Sequence, residues 1–419
     1  MTAMLRLALK SAWARRWTLG ITLVAIAMAS ALLLAVERVR QDARHSFSQS
    51  ISGVDLVVGA RSGAVQLMLH AVFHAGSATN NIRWDSFQSL AQSPDIAWAV
   101  PLSMGDSTRG YPVVGTRSDF FTHFRYADGQ TLHFTLGEPF AGVFDAVLGS
   151  DVALALGLSV GSPLTLTHGL VEQGPDHADK PFTVTGVLSP TGTPVDRSVY
   201  VSLEAISAIH LDWAAGAPVP GLSIPAQFVQ KFDLQPREVT AALIGLKNRS
   251  DVFRVQRRIN NFRGEPLLAV LPGVALDELW SSVALFERLL FAVSALVVIV
   301  GLSGLIATLL AGLNERRREL ALLRALGASP QAIFALLAGE GVVVTVLGVL
   351  VGLIVLALGV SALAPVAQAQ WGITLAQRLP SLNEGLLIAL ILISGLIASL
   401  IPGWRAWRMS LADGLTPRN

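Results

Sequence analysis

The sequence predicts an α-helical membrane protein with four transmembrane helices and a large α+β extracytoplasmic domain between helices 1 and 2. Three observations predict it. Hydrophobic residues make up 52% of the 419 residues and charged residues only 14%, against about a quarter charged in soluble domains. The excess sits in four uncharged stretches, each near the ~20 apolar residues that cross about 30 Å of hydrocarbon. Residues 37–288, between the first two stretches, read instead as short strands and helices and are numerous enough to bury a core of their own.

The elements follow in order. Residues 1–16 are a basic, amphipathic cytoplasmic segment carrying Arg6, Lys10, Arg15 and Arg16. Residues 17–36 are the first span. A cleaved signal peptide shares the basic start, but its apolar region usually runs about 7 to 15 residues and closes on small residues. Here Glu37, Arg38 and Val39 follow, which favours an anchor. Residues 289–313, 341–365 and 385–403 are the other spans. Arg316, Arg317, Arg318 and Arg324 lie between the second and third, and Arg405, Arg408 and Arg418 follow the fourth; the 366–384 loop has only Arg378. Basic residues gather on the cytoplasmic side. Both termini, including the 404–419 tail, and the turn 314–340 are therefore expected in the cytoplasm.

Within 37–288, the pieces VDLVVGA, YPVVGT, PLTLTHG, FTVTGVL and SVYVSL are β-branched, alternating and bounded by Gly or Pro, as strands are. Residues 84–93, 203–209 and 251–262 read as helices, and the whole is expected to divide into two lobes. A Pro-Gly turn at Pro272 and Gly273 is expected to lead into a helix that continues into the second span as a stalk. The chain has no Cys, so no disulfide braces it. Its net charge of +2 and pI near 9.2 reflect basic membrane edges rather than a nucleic-acid surface.

The turn NERRRELALLRALGASPQ is wedged between two apolar stretches. Leu322 and Leu326 share a helical face, and Arg317 and Arg324 another. Gly327 interrupts the helix, Ser329 caps the next, and Pro330 fits its first turn. The Arg residues alone would suit a membrane-edge anchor. Glu315 and Glu319 interleaved among them make a mixed-charge helix, which favours docking a protein.

The stretch ERRRELALLRALGASPQAIFALLAGEG resembles the signature of the MacB/FtsX/LolC-type ABC transporter permeases, E-[RK]-x-x-E-[IL]-x-x-[LM]-[RK]-A-[LI]-G-A after the second span. The span order and the large domain after span one are also similar, as is the closing segment, although WRAWRMSLADGLTPRN departs from the family's P-x-x-A-L-R-x-E ending. The resemblance implies a bacterial inner-membrane, multi-pass permease that dimerises with a second copy or a paralogue and binds two copies of an ATPase. It implies movement of the extracytoplasmic domains, for export or extraction of lipoprotein, lipid or peptide cargo or for regulation of an envelope enzyme. Carried over residue by residue, Glu315, Arg317, Glu319, Leu322, Arg324, Leu326, Gly327 and Ala328, with Arg316 beside them, form the ATPase-coupling surface. The chain has no G-x-x-x-x-G-K-[ST] phosphate loop, so ATP and Mg²⁺ are expected on a separate ATPase subunit and no cofactor on this chain. Membrane lipid and a periplasmic partner or cargo complete the expected partners; no nucleic acid is among them.

Catalytic motifs are missing: no Cys, no G-x-S-x-G and no H-E-x-x-H occur. Ionisable residues are also scarce within the spans, which argues against ion-coupled transport. Gly348 and Gly352 form a G-x-x-x-G pair suited to close helix packing. All eight His fall between His45 and His210. His70 and His74, at i and i+4, and His168, His177 and Asp179, in one polar loop with His210 and Asp212 nearby, are candidate metal ligands, zinc being the ion that imidazole and carboxylate suit. The plainer reading makes His70 and His74 part of a core helix and the polar loop a hairpin tip. An alternative function is a membrane-anchored envelope sensor or scaffold, zinc-responsive and without an ATPase partner.

Overall fold

The computed structural model describes residues 13, 15–76, 80–127, 129–169, 176–214, 217–221, 223–315, 321, 323–325, 327–371, 375 and 377–408. The chain forms two compact units.

One unit comprises Met1–Asp42, Ala284–Val366 and Leu375–Asn419. Among the described residues, four helices are long and apolar enough to cross a bilayer, with candidate spans Arg16–Phe47, Pro272–Leu313, Pro330–Ala367 and Leu382–Arg405. They outrun the uncharged stretches, running on into charged residues at their ends. The second does not turn at Pro272–Gly273: Pro272 opens a continuous helix, Pro272–Glu315. Proline fits the first helical turn, where its missing N–H would be unpaired anyway.

The first helix is the core of this bundle. Ile26 packs with Leu302, Leu305, Leu309 and Val344, Leu33 with Val349 and Ile391, and Leu34 with Leu356 and Val360. Thr22 and Thr308 share a hydroxyl hydrogen bond of 2.9 Å. Ion pairs bracket the apolar stretch of this helix, one at its start and one at Arg38, inside the Arg16–Gln49 helix. Arg15 Nη2 lies 2.6 Å from Glu340, and Arg38 grips Glu384 with two bonds of 3.0 and 2.7 Å. At 1.5 Å per residue the two pairs are about 35 Å apart along the axis, close to the hydrocarbon thickness of about 30 Å. Glu384 also accepts from the Ser381 N–H at 3.1 Å while Ser381 Oγ accepts from the Glu384 N–H at 3.3 Å, a capping box opening the Leu382–Arg408 helix.

The other unit comprises Ala43–Val283 and Ala367–Thr374. It is an α/β domain built on one mixed sheet of eleven strands. Across the sheet, nine of them run Leu267–Val270, Leu56–Ala60, Ala241–Leu246, Ile96–Thr108, Tyr111–Thr116, Val199–Ser202, Asp145–Leu148, Phe182–Leu188 and Phe134–Gly137. The short strand Thr167–His168 adds to Ile96–Thr108, and Pro163–Leu164 to Phe182–Leu188. The 13-residue Ile96–Thr108 strand serves both halves of the sheet: its first part pairs with Ala241–Leu246 and its last part with Tyr111–Thr116. Separate apolar clusters cover the two halves, one around Phe87, Ile244 and Ile259, the other around Val152, Phe182 and Val201. A third, around Phe120, Phe121 and Tyr200, lies against Val100, Val147 and Leu243.

Candidate functional site

The described residues bring together one group able to hold a metal ion: Asp106, His168, His177 and His210. It starts from a strand irregularity. The pairing of Ile96–Thr108 with Tyr111–Thr116 slips by one residue between Met104 and Asp106, a bulge of the kind that re-aims a side chain. Asp106 is left 3% exposed. His168 stands directly opposite it on the neighbouring strand, so His168 Nδ1 lies 3.0 Å from Asp106 Oδ1. The chain then folds back. Thr167 bridges to Asp176, and the His177 N–H donates to the Leu166 carbonyl at 2.9 Å, which sets His177 beside His168.

His210 comes from a different element, the C-terminal cap of the Leu203–Ile209 helix. Its Nδ1 lies 2.8 Å from the Ile206 carbonyl. A carbonyl only accepts, so Nδ1 carries the proton and Nε2 presents its lone pair. That Nε2 is 3.1 Å from His168 Nδ1 and 3.6 Å from Asp106 Oδ1. His177 Nε2 is 4.0 Å from the same carboxylate oxygen. One ligand atom from each of the four lies within 4.8 Å of all the others.

His177 is fully buried, yet neither ring nitrogen has a hydrogen-bond partner. An unsatisfied buried polar group costs about 1–3 kcal/mol. Burial pushes His177 down to about 4, so its imidazole is neutral and both lone-pair chemistry and metal ligation are open to it. The hydrogen bond to Asp106 raises His168 above the ordinary histidine value. Trp213 lies against all three imidazoles, with ring centroids 5.0, 4.4 and 5.4 Å from His168, His177 and His210. Lys180, wholly buried close by, is neutralised by Asp212, both of whose oxygens are 2.9 Å from Nζ, and by Asp179 at 3.0 Å. A cleft of about 450 Å³, lined in part by Asp106, His168, His210 and Trp213, opens beside the cluster.

The other expected ligands lie elsewhere. The Ala64–Ala71 helix stops before His74, whose φ of +51° turns the chain away, so His70 and His74 do not share a helical face. His70 Nδ1 reaches the Gly76 carbonyl at 3.2 Å and His74 Nδ1 the Ser198 hydroxyl at 2.7 Å. Asp179 is spent on Lys180. Asp106 was not among the expected ligands, because only strand pairing brings it opposite His168.

Of the expected coupling residues, Glu315 ends its helix, while Arg316, Arg317, Glu319, Leu322 and Leu326 lie outside the described residues. Leu323 packs on Leu313, Ile333 and Leu337. Gly327 adopts φ +96°, a conformation that glycine takes without a Cβ penalty. Its N–H donates to the Arg324 carbonyl at 3.1 Å and that of Ala328 to the Leu323 carbonyl at 2.9 Å, which closes the turn. Ser329 Oγ then accepts from the Ala332 N–H at 3.3 Å, and Pro330 opens the Pro330–Trp371 helix. Gly348 and Gly352 face the first helix of the same chain: a Cβ on Gly352 would stand 2.3 Å from Ser30 Oγ and one on Gly348 2.8 Å from Ile26 Cγ2.

Comparison with known proteins matches both parts. The sequence profile of the MacB-like periplasmic core domain matches residues 18–262, and that of the FtsX-like permease C-terminal region matches residues 291–411. The chain is 24% identical over 216 residues to the lipoprotein-releasing system transmembrane protein LolC of Neisseria meningitidis serogroup B, covering 51% of this chain and 47% of that protein. It is 23% identical over 294 residues to LolC of Xylella fastidiosa, covering 65% of each. The match thus spans less than two thirds of either relative's length. Among solved structures, the periplasmic region of MacB from Actinobacillus actinomycetemcomitans aligns at a TM-score of 0.33 and 10% identity, over 55% of this chain and 94% of that one. The extracellular domain of the noncanonic ABC-type transporter YknZ from Gram-positive bacteria aligns at 0.29 and 12%, over 52% and 99%. With profiles matched over its α/β unit and its last three long helices, the chain belongs to the MacB/FtsX/LolC family of ABC transporter permeases.

Proposed function

We propose that this permease works as the membrane subunit of an ABC system in which a separate ATPase supplies the energy. Two ATPase copies dock on the cytoplasmic corner around residues 315–328, and a second permease copy or a paralogue completes the transporter. Closure of the ATPases on ATP pushes on this corner, and the extracytoplasmic domains rearrange in response. The cargo is lipoprotein, lipid or peptide at the cell envelope, the first being what the name of the LolC relatives points to. Both termini are cytoplasmic in this reading.

The observation that carries it is the FtsX-like permease match over residues 291–411, which contains the whole mixed-charge turn. The local geometry supports it. The Gly327 turn and the Ser329 cap hold the start of the Pro330–Trp371 helix through hydrogen bonds to its backbone and to the turn. A push on the corner is then delivered to the helices that flank it.

The test is purification in mild detergent from the native membrane, with partners identified by mass spectrometry and ATPase activity assayed on the complex. A P-loop ATPase is expected to accompany the wild-type chain and to be lost from Arg324→Glu. Equal recovery of the ATPase with Arg324→Glu, or its absence from the wild type, would overturn the reading.

A further inference from the structure

We propose that Asp106, His168, His177 and His210 form a divalent-metal site in the α/β unit, with zinc its ion. The proposal is independent of ATPase coupling and adds a ligand to this domain.

The donor set is the first argument. Three imidazoles and one carboxylate match the N/O ligands that zinc takes in fourfold tetrahedral coordination. With bonds of about 2.0–2.1 Å, such a tetrahedron has edges of about 3.3 Å. Four of the separations are 3.0, 3.1, 3.6 and 4.0 Å, and every pair lies within 4.8 Å. An ion at their centre would require only small shifts of side chains already gathered.

The second argument is His177. An ordinary hydrogen-bonded cluster would account for His168, Asp106 and His210, each of which has a protein partner. It leaves His177 wholly buried, aimed into the group and with both nitrogens unpartnered. A metal ion at Nε2, the nitrogen nearest Asp106, would supply one of these with a partner.

The surroundings fit as well. His210 is oriented by its bond to the Ile206 carbonyl, the outer contact that ligating histidines usually make. The group holds one carboxylate among its three imidazoles, and the Lys180 ammonium close by is already matched by Asp212 and Asp179. A cation is therefore not opposed by an uncompensated positive charge. The side chains of His168 and His210 remain 33% and 25% exposed and face the cleft, which gives the ion a route from solvent. The ligands come from the bulged strand, the Thr167–His168 strand, the returning chain at His177 and a helix end, so zinc would fasten four segments of the domain.

The test uses the full chain in detergent, stripped with a chelator and titrated with Zn²⁺ against a chromophoric competitor, with Co²⁺ as a spectroscopic probe. One Zn²⁺ per chain is expected, together with the strong visible absorption of tetrahedral Co²⁺. Asp106→Asn, His177→Asn and His210→Gln should each bind about a hundredfold more weakly or not at all, since the loss of an outer contact alone typically costs 10–100-fold. His70→Asn, outside the group, should bind as the wild type. If His177→Asn does not fold, His168→Gln, partly exposed, carries the same test. Absence of stoichiometric binding in the wild type, or unchanged affinity in folded variants of the group, would overturn the proposal.

Discussion

His74 should make the domain lose stability as the medium turns acidic, and the size of that loss can be worked out. Its Nδ1 bonds the Ser198 hydroxyl, and its ring lines a small apolar recess with Leu102, Phe120 and Tyr200. Burial, with a smaller contribution from His70, lowers it from 6.5 to about 4. Its titratable neighbours do not offset this: His70 is lowered by burial too, and burial raises Tyr200 so that it stays neutral. The folded-state value lies below the unfolded one, so the unfolded chain binds a proton first on acidification. The contribution is full above pH 6.5 and is lost as pH falls from 6.5 through 4. At 1.36 kcal/mol per pH unit this amounts to about 3 kcal/mol. That figure is a ceiling, because His74 is partly reached by solvent. Asparagine at this position keeps a hydrogen-bonding side chain, tolerates positive φ and does not titrate. Thermal unfolding of the full chain should therefore show wild type losing up to about 5–10 °C relative to His74→Asn between pH 7 and pH 4.5. Other acid-sensitive groups act equally on both proteins and cancel in the difference. A gap that does not change with pH would refute the claim that burial holds His74 neutral.

Two further outcomes concern the helical unit. Glu384→Gln should cost about 3–5 kcal/mol, because it leaves Arg38 buried without its counter-charge; Arg38 and Glu384 side chains are only 5% and 1% exposed. The double change Arg38→Met with Glu384→Met should recover much of the loss in thermal stability, and an equally unstable double variant would show that the ion pair is not the cause. Gly352→Val should destabilise by about 1–3 kcal/mol through overpacking against Ser30 and Ala27. Gly359→Ala, with nothing within 4 Å of the added carbon, should melt no lower than the wild type, since Ala suits a helix interior better than Gly.

Much of the architecture could be read from residue order. The uncharged runs find the long helices because hydrocarbon tolerates few charges, and β-branched alternation finds the strands at 56–60, 111–116, 182–188 and 199–202. What stayed hidden depended on contacts between distant segments. Pro272 and Gly273 spell a turn locally, but here they open a helix. His70 and His74 have helical spacing, yet spacing does not say that the helix ends at Ala71. His168 and His177 stand out in one loop, whereas Asp106 looks like an ordinary turn residue in GDST. Only the bulge and the pairing of His168 opposite Asp106 reveal it. The Gly327 corner is the reverse case, since Gly327, Ser329 and Pro330 act on the backbone next to them and their roles are local.

The ion pairs at the start of the first helix and at Arg38 also bear on how the chain is made. Arg15 and its partner Glu340 are separated by 325 positions, and Arg38 and Glu384 by 346. During synthesis both arginines emerge with the first helix, long before either glutamate exists. Neither pair can close until the third helix has begun, and the second closes only when the fourth has been made. The finished bundle is therefore locked late, from its C-terminal side, and a chain truncated before residue 384 would leave Arg38 waiting for a partner that never arrives.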